Sequence, residues 1–156
     1  MGHAGRTEFL PLELVFNPNW WHRTAGISFD EAFYLDADTR IRNDVIMRRV
    51  LHERFGELGL GEAEPVPRPV IGSEFVAGGF VIPALLGAAV EFSPNAAPQP
   101  KPVRFPAARI DALKKPDFRQ LWPMRELIRD MEMLDARCGC GNLVGDLNTD
   151  GLLNVA

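Results

Sequence analysis

The segment GDLNTDGLLNVA (145–156) spaces its oxygen side chains as a cation loop does. Asp146, Asn148, Asp150, Gly151 and Asn154 stand at positions 1, 3, 5, 6 and 9 of an EF-hand-type calcium loop. Alternate oxygen ligands wrap the ion and the glycine makes the sharp turn. A bidentate carboxylate should close such a site, and its position falls one place beyond Ala156. The loop is also single, without a paired second one. Elsewhere, His22-Arg23 sets a proton-transfer group beside an anion-binding fork. Glu74 offers a carboxylate whose pKa burial would raise. Cys138 and Cys140, in RCGCGN, are too close for a C-x-x-C redox pair and too few for a zinc site. They read as two thiols in a helix-to-strand turn. His3, His22 and His52 all lie in the first third of the chain, far from them in sequence.

These groups need elements to hold them. LELVF (12–16) is short, apolar and branched, as a buried strand is. NPNWWHRTAG follows as an irregular loop, with Pro18 as a breaker. Ser28-Phe29-Asp30-Glu31 is a capping-box pattern that opens a short helix. Asp38 is the expected N-cap of a helix over 39–55, with Ile41, Val45, Val50, Leu51 and Phe55 on its apolar face and Gly56 as its stop. The charged run RIRNDVIMRRVLHERFGE reads as a solvated face. GLGEAEPVPRP is a turn-rich connector. PVIGSEF (69–75) reads as a second buried strand, and GGFVIPALLG as a loop running into one helical turn. AAVEF (88–92) is a short edge strand. SPNAAPQPKPVRFP (93–106) carries five prolines and is expected as an extended surface loop. A short helix (107–114) and a longer one (118–136) come next, the latter with Leu121, Met124, Ile128, Met131 and Leu134 on one face. NLVGDL (142–147) is a third strand.

Alternating strands and helices predict an α/β protein built from βα units on a parallel sheet. The 156 residues form one domain's worth of chain, with 46% hydrophobic and 24% charged residues, as soluble globular proteins have. A net charge of −4 argues against a nucleic-acid binder. The longest uncharged stretch, Phe75 to Val90, is broken by glycines and a proline and is too short to span a membrane. The start, MGHAGRTEF, lacks the apolar core of a signal peptide. A cytoplasmic location is expected.

The stretch FVAGGFVIPALLGAAVEFSPNAAPQPKPVRFPAARIDALKKPD resembles the uroporphyrinogen decarboxylase superfamily. That family reads F-S-D-I-L-x-x-P-x-A-L-G, a strand, a Gly/Pro-rich loop and a P-x-x-x-x-D-x-x-x-L helix. Pro83, Leu86, Gly87, Val90 and the proline-rich loop fall in step with it. HRTAG (22–26) is similar to the family's M-R-Q-A-G-R loop, and LVGDLNTDGLLNVA to its I-G-F-x-G-A-P-x-T-L-A strand and loop. The likeness runs from about Leu12 to Ala156, with three motifs in order.

The resemblance implies a (β/α)8 TIM-type barrel with its active site at the C-terminal ends of the strands. This chain would then be the N-terminal portion, an incomplete parallel sheet with flanking helices in a single partial domain over 1–156. The family includes haem-pathway decarboxylases and methyltransferases that move methyl groups to or from a corrinoid (cobamide) protein, often with a zinc-bound thiolate. Two departures favour the second branch. The decarboxylases' tetrapyrrole-binding aspartate corresponds to Gly78, and the second of their two carboxylate-clamping arginines to Ile27. Only the first is kept, as Arg23. The methyltransferases' zinc ligands, an H-x-C pair and a later Cys, fall in the second half of the barrel, which this sequence does not reach.

On this reading the expected substrate-binding residues are Asn17, Asn19, His22, Arg23, Glu74, Asn148 and Asp150. Each has a plainer alternative. Asn17 and Asn19 either hydrogen-bond substrate or shape the turn around Pro18. Arg23 is an anion clamp or one half of a surface salt bridge. His22 is a general base or a packed histidine. Trp20-Trp21 floors a pocket or forms a core-and-rim pair. Glu74 is a pocket carboxylate or a buried partner of Arg23. Asn148 and Asp150 line the pocket or cap the next helix. The implied partners are a corrinoid protein or a small methyl donor or acceptor. The open sheet edges of a half-barrel add a second copy or a complementing chain. Two other functions stand beside this one: a tetrapyrrole decarboxylase, and a non-catalytic module binding calcium through Asp146, Asn148 and Asp150.

Overall fold

A computed structural model describes residues 15–70, 79–112 and 117–138. An asparagine and a proline set the first element. Asn17, in extended conformation, accepts the Trp20 N–H on its side-chain oxygen at 2.9 Å, and Pro18 opens the helix. Proline suits that position, because its missing N–H has no helical partner to lose and its φ is already helical. The result is α1 (Pro18–Ala25), closed by Gly26 at φ 67° with its N–H on the His22 carbonyl. Glycine takes this left-handed conformation at little cost. A loop was expected here. The residue before the proline makes the difference, since a capping Asn turns a breaker into a helix start. Of the strand expected over 12–16, only Val15 and Phe16 are described, and both are irregular.

Asp30 rather than Ser28 caps α2 (Glu31–Leu35): its Oδ1 accepts the Phe33 N–H, and Ser28 Oγ donates to its other oxygen at 2.8 Å. Phe33, Tyr34 and Leu35 are all buried, so this short helix is anchored in the core through its last three residues, while Glu31 and Ala32 stay exposed. Asp36 then serves two helices. Its N–H bonds the Ala32 carbonyl at 3.0 Å, closing α2, and its Oδ1 accepts the Thr39 N–H at 2.7 Å, opening α3 (Ala37–Phe55). Asp38, the expected cap, lies inside the first turn. Hydrogen bonding from Thr39 holds the Asp36 carboxyl below the usual carboxylate range. A lowered folded pKa adds stability above the unfolded value of about 4, and that stability is lost as pH falls through the folded value. Asp36→Ala is therefore expected to cost about 1 kcal/mol at neutral pH. The gap from the parent chain should narrow below about pH 4, which urea unfolding at neutral and acid pH checks.

As expected, α3 ends at Phe55 with Gly56 as its C-cap. A 3-10 turn, Gly56–Leu58, follows directly, and Gly59 at φ 78° makes the reversal. The connector that follows is irregular, as expected, but it is held tightly. A Cβ on Gly61 would collide with the Arg48 carbonyl oxygen and the His52 nitrogen, so glycine is required for this close approach. Arg48 donates to Asp44, to Glu62 at 2.7 Å and to the Val66 carbonyl at 2.6 Å, and Arg68 closes on Asp44 at 2.9 Å. The charged run is thus only partly a solvated face, because Arg40 and Arg48 are both buried.

Arg40 is 3% exposed and reaches three parts of the chain. Its Nη1 donates to the Tyr34 carbonyl at 2.6 Å, Nε to the Val70 carbonyl at 3.1 Å and Nη2 to Asp130 at 2.7 Å. One guanidinium fork therefore ties α2, the connector and the last described helix to α3. A lysine, with no planar fork, could not make these three bonds in fixed directions.

The next elements are α4 (Val81–Leu85), β1 (Val90–Ser93) and β2 (Ala96–Pro100). The strands are antiparallel, with Val90 opposite Pro100, Glu91 opposite Gln99 and Ser93 opposite Ala96. The expected edge strand is there, but Ala96–Pro100 of the expected proline-rich loop (93–106) form its partner strand. The prolines permit this because of their phase. The Lys101 N–H donates to the Ala89 carbonyl at 2.7 Å, so this position faces β1. Pro98 and Pro100, in the alternate phase, turn their missing N–H groups away from the ladder. Among the described residues this hairpin is the only sheet. The mixed helix and strand content agrees with the α/β class, but no parallel pair or barrel is seen among the described residues. Pro94-Asn95 is too short a connection for anything but antiparallel strands.

α5 (Ala107–Asp111) is followed by a 3-10 turn, Phe118–Gln120, and by α6 (Met124–Cys138). The single helix expected over 118–136 is thus broken before Pro123, which is fully buried. Its buried face also differs. Leu127, Asp130 and Leu134 turn inward, while Leu121 and Met131 are exposed. The apolar stripe was read without Asp130, whose partner is ninety positions away. The expected strand 142–147 and residues 71–75 of the second expected strand lie outside the described residues. No described helix is long and apolar enough to cross a membrane.

The core is aromatic. Phe29, Tyr34 and Phe80 are wholly enclosed, and Tyr34, Phe80, Phe92 and Trp122 meet with ring centroids 5.7–6.3 Å apart. A second group, Phe16, Trp20, Trp21 and Phe55, joins α1 to the end of α3. The Tyr34 hydroxyl is buried with no hydrogen-bond partner among the described residues, and burial pushes its pKa up. An unpaired hydroxyl in an apolar site costs about 1–3 kcal/mol. Tyr34→Phe is accordingly expected to stabilise the chain by about 1 kcal/mol, read as a higher urea midpoint at unchanged slope.

Candidate functional site

α1 and its N-cap gather four of the expected site residues within about two turns. Their roles separate once the helix is built. Asn17 is the N-cap, so its side-chain oxygen is already used. Asn19 is exposed in the first turn. His22 is half-buried, and its Nδ1 lies 2.9 Å from the Ile27 carbonyl oxygen. A carbonyl only accepts, so Nδ1 carries the proton and the neutral ring keeps its lone pair on Nε2. Arg23 is exposed and makes no hydrogen bond or ion pair among the described residues. His22 and Arg23 both sit in the last turn, where the helix dipole favours a positive charge.

Trp21 is 2% exposed and Trp20 is half-buried. Trp20 packs on Phe16 and Phe55, with the Arg54 guanidinium 5.9 Å from the ring centroid. The pair has the core-and-rim arrangement. Ile27 follows the left-handed Gly26 and is 3% exposed, inside the hydrophobic core. The other expected site residues, Glu74, Asn148 and Asp150, lie outside the described residues, as does Asp146 of the calcium pattern. Among the described residues, then, α1 carries both His22 and Arg23 in its last turn, the first half-buried against Ile27 and the second exposed, and adjacent helical positions do not face each other.

A different concavity was not legible in the sequence. Glu31, Ala32, Leu35 and Asp36 of α2 face Trp122 and Glu126 at the start of α6, across an open cleft of about 490 Å³. Local pattern gave no sign of it, because the two walls lie ninety residues apart and meet through Arg40 and Asp130. Two of its three carboxylates have local work, while Glu126 Oε2 is buried with no hydrogen-bond partner among the described residues. Asp36 caps α3, and Glu126 takes two bonds on Oε1 from Arg125, at 2.6 and 3.0 Å.

No group of three His, Cys, Asp or Glu side chains that could hold a metal is present among the described residues. The described residues therefore do not supply a zinc donor set. Of the Trp20-Trp21 pair, Trp21 is enclosed and Trp20 is stacked on Phe16 and Phe55. Comparison with known proteins finds no matching family model, no matching curated protein and no matching solved structure.

Proposed function

We propose that this chain is the N-terminal portion of a uroporphyrinogen-decarboxylase-superfamily protein, on the side of the corrinoid-dependent methyltransferases. The three sequence motifs in order support the family. The observation that supports the branch is the environment of Ile27. A decarboxylase of this family places a second carboxylate-clamping arginine at that position. Here the side chain is packed in the core among aromatic rings, where an unpaired arginine would be strongly disfavoured. Arg23, exposed and unengaged among the described residues, is left as the single clamp.

On this reading the helices and hairpin belong to the first part of a (β/α)8 barrel in a cytoplasmic enzyme. The remainder of the barrel comes from further chain or from a complementing copy. Zinc and the corrinoid belong to that completed protein and are not placed on the described residues. Arg23 contributes a guanidinium to an anionic group of the methyl donor or acceptor.

The test is methyl transfer from methylcobalamin to a thiol, followed by absorbance, with the chain joined to the polypeptide encoded after it. Turnover without decarboxylation of uroporphyrinogen is expected, and decarboxylation without methyl transfer would overturn the reading. Arg23→Ala should raise KM for an anionic substrate at least about tenfold, because a charge-assisted hydrogen bond contributes about 1.5–3 kcal/mol. Its unfolding curve should match the parent's, since an exposed arginine without a partner supports no packing.

A further inference from the structure

We draw no further inference here: the strongest candidate, the open cleft between α2 and α6 lined by Glu31, Asp36, Glu126 and Trp122, is an acidic cluster whose Asp36 and Glu126 carboxylates already serve a helix cap and an ion pair, and nothing in it points to a ligand.

Discussion

Arg40→Met lowers the unfolding free energy by about 3–5 kcal/mol, the cost expected when one member of a buried ion pair is removed. The side chains of Arg40 and Asp130 are 2% and 6% exposed, and they meet at 2.7 Å. Without the guanidinium, a carboxylate is left in a nearly dry site. Arg129 cannot take over the role, because it reaches Asp130 only at 3.8 Å and is largely in solvent. Exposed pairs of that kind contribute about 1 kcal/mol at most. The variant also strips a donor from the Tyr34 and Val70 carbonyls. Replacing both partners, as Arg40→Met with Asp130→Leu, should recover part of the loss, since it removes the stranded charge. A double-mutant cycle by urea unfolding reads this as a coupling energy. If Arg40→Met unfolds like the parent, the pair is not a structural tie.

Phe80→Ala is the second large loss, at about 3–5 kcal/mol. Phe80 is wholly enclosed and touches Tyr34 of α2, Phe92 of β1 and Trp122 before α6. Truncation forfeits the transfer energy of the ring and leaves a cavity that four elements would have to close together. The tilted and edge-on ring contacts add a share beyond buried area. Phe80→Leu keeps most of the volume and should cost much less. The ratio of the two effects separates packing from simple hydrophobicity, and equal losses would contradict the packing argument.

Much of the local structure was legible in the sequence because it rests on local chemistry. The helix over 39–55, the helical turn at Val81–Leu85 and the edge strand at Val90 all follow from periodicity and turn residues a few positions apart. Two errors arose from reading proline as a breaker only. At Pro18 the preceding Asn17 makes it a helix start, and at Pro98 and Pro100 the strand phase makes it harmless. Other errors arose from long-range pairing. Arg40 and Asp130 look like solvated charges in their own segments, and only the apposition of α3 and α6 buries them. That pairing also explains why the inward face of α6 is not its most apolar stripe. The expected site was legible only in part. His22 and Arg23 do share the end of a helix, whereas Asn17 is held by its capping bond. The cleft walls carry no local signature at all.

The most direct test of the family reading is the coding DNA downstream of the Ala156 codon. The account predicts a frame, continuous or resumed after a shift, that encodes further βα units with an H-x-C pair and a later cysteine. A stop with no neighbouring frame that supplies those residues contradicts it, and a partner-dependent or purely binding role then becomes the better account of this chain.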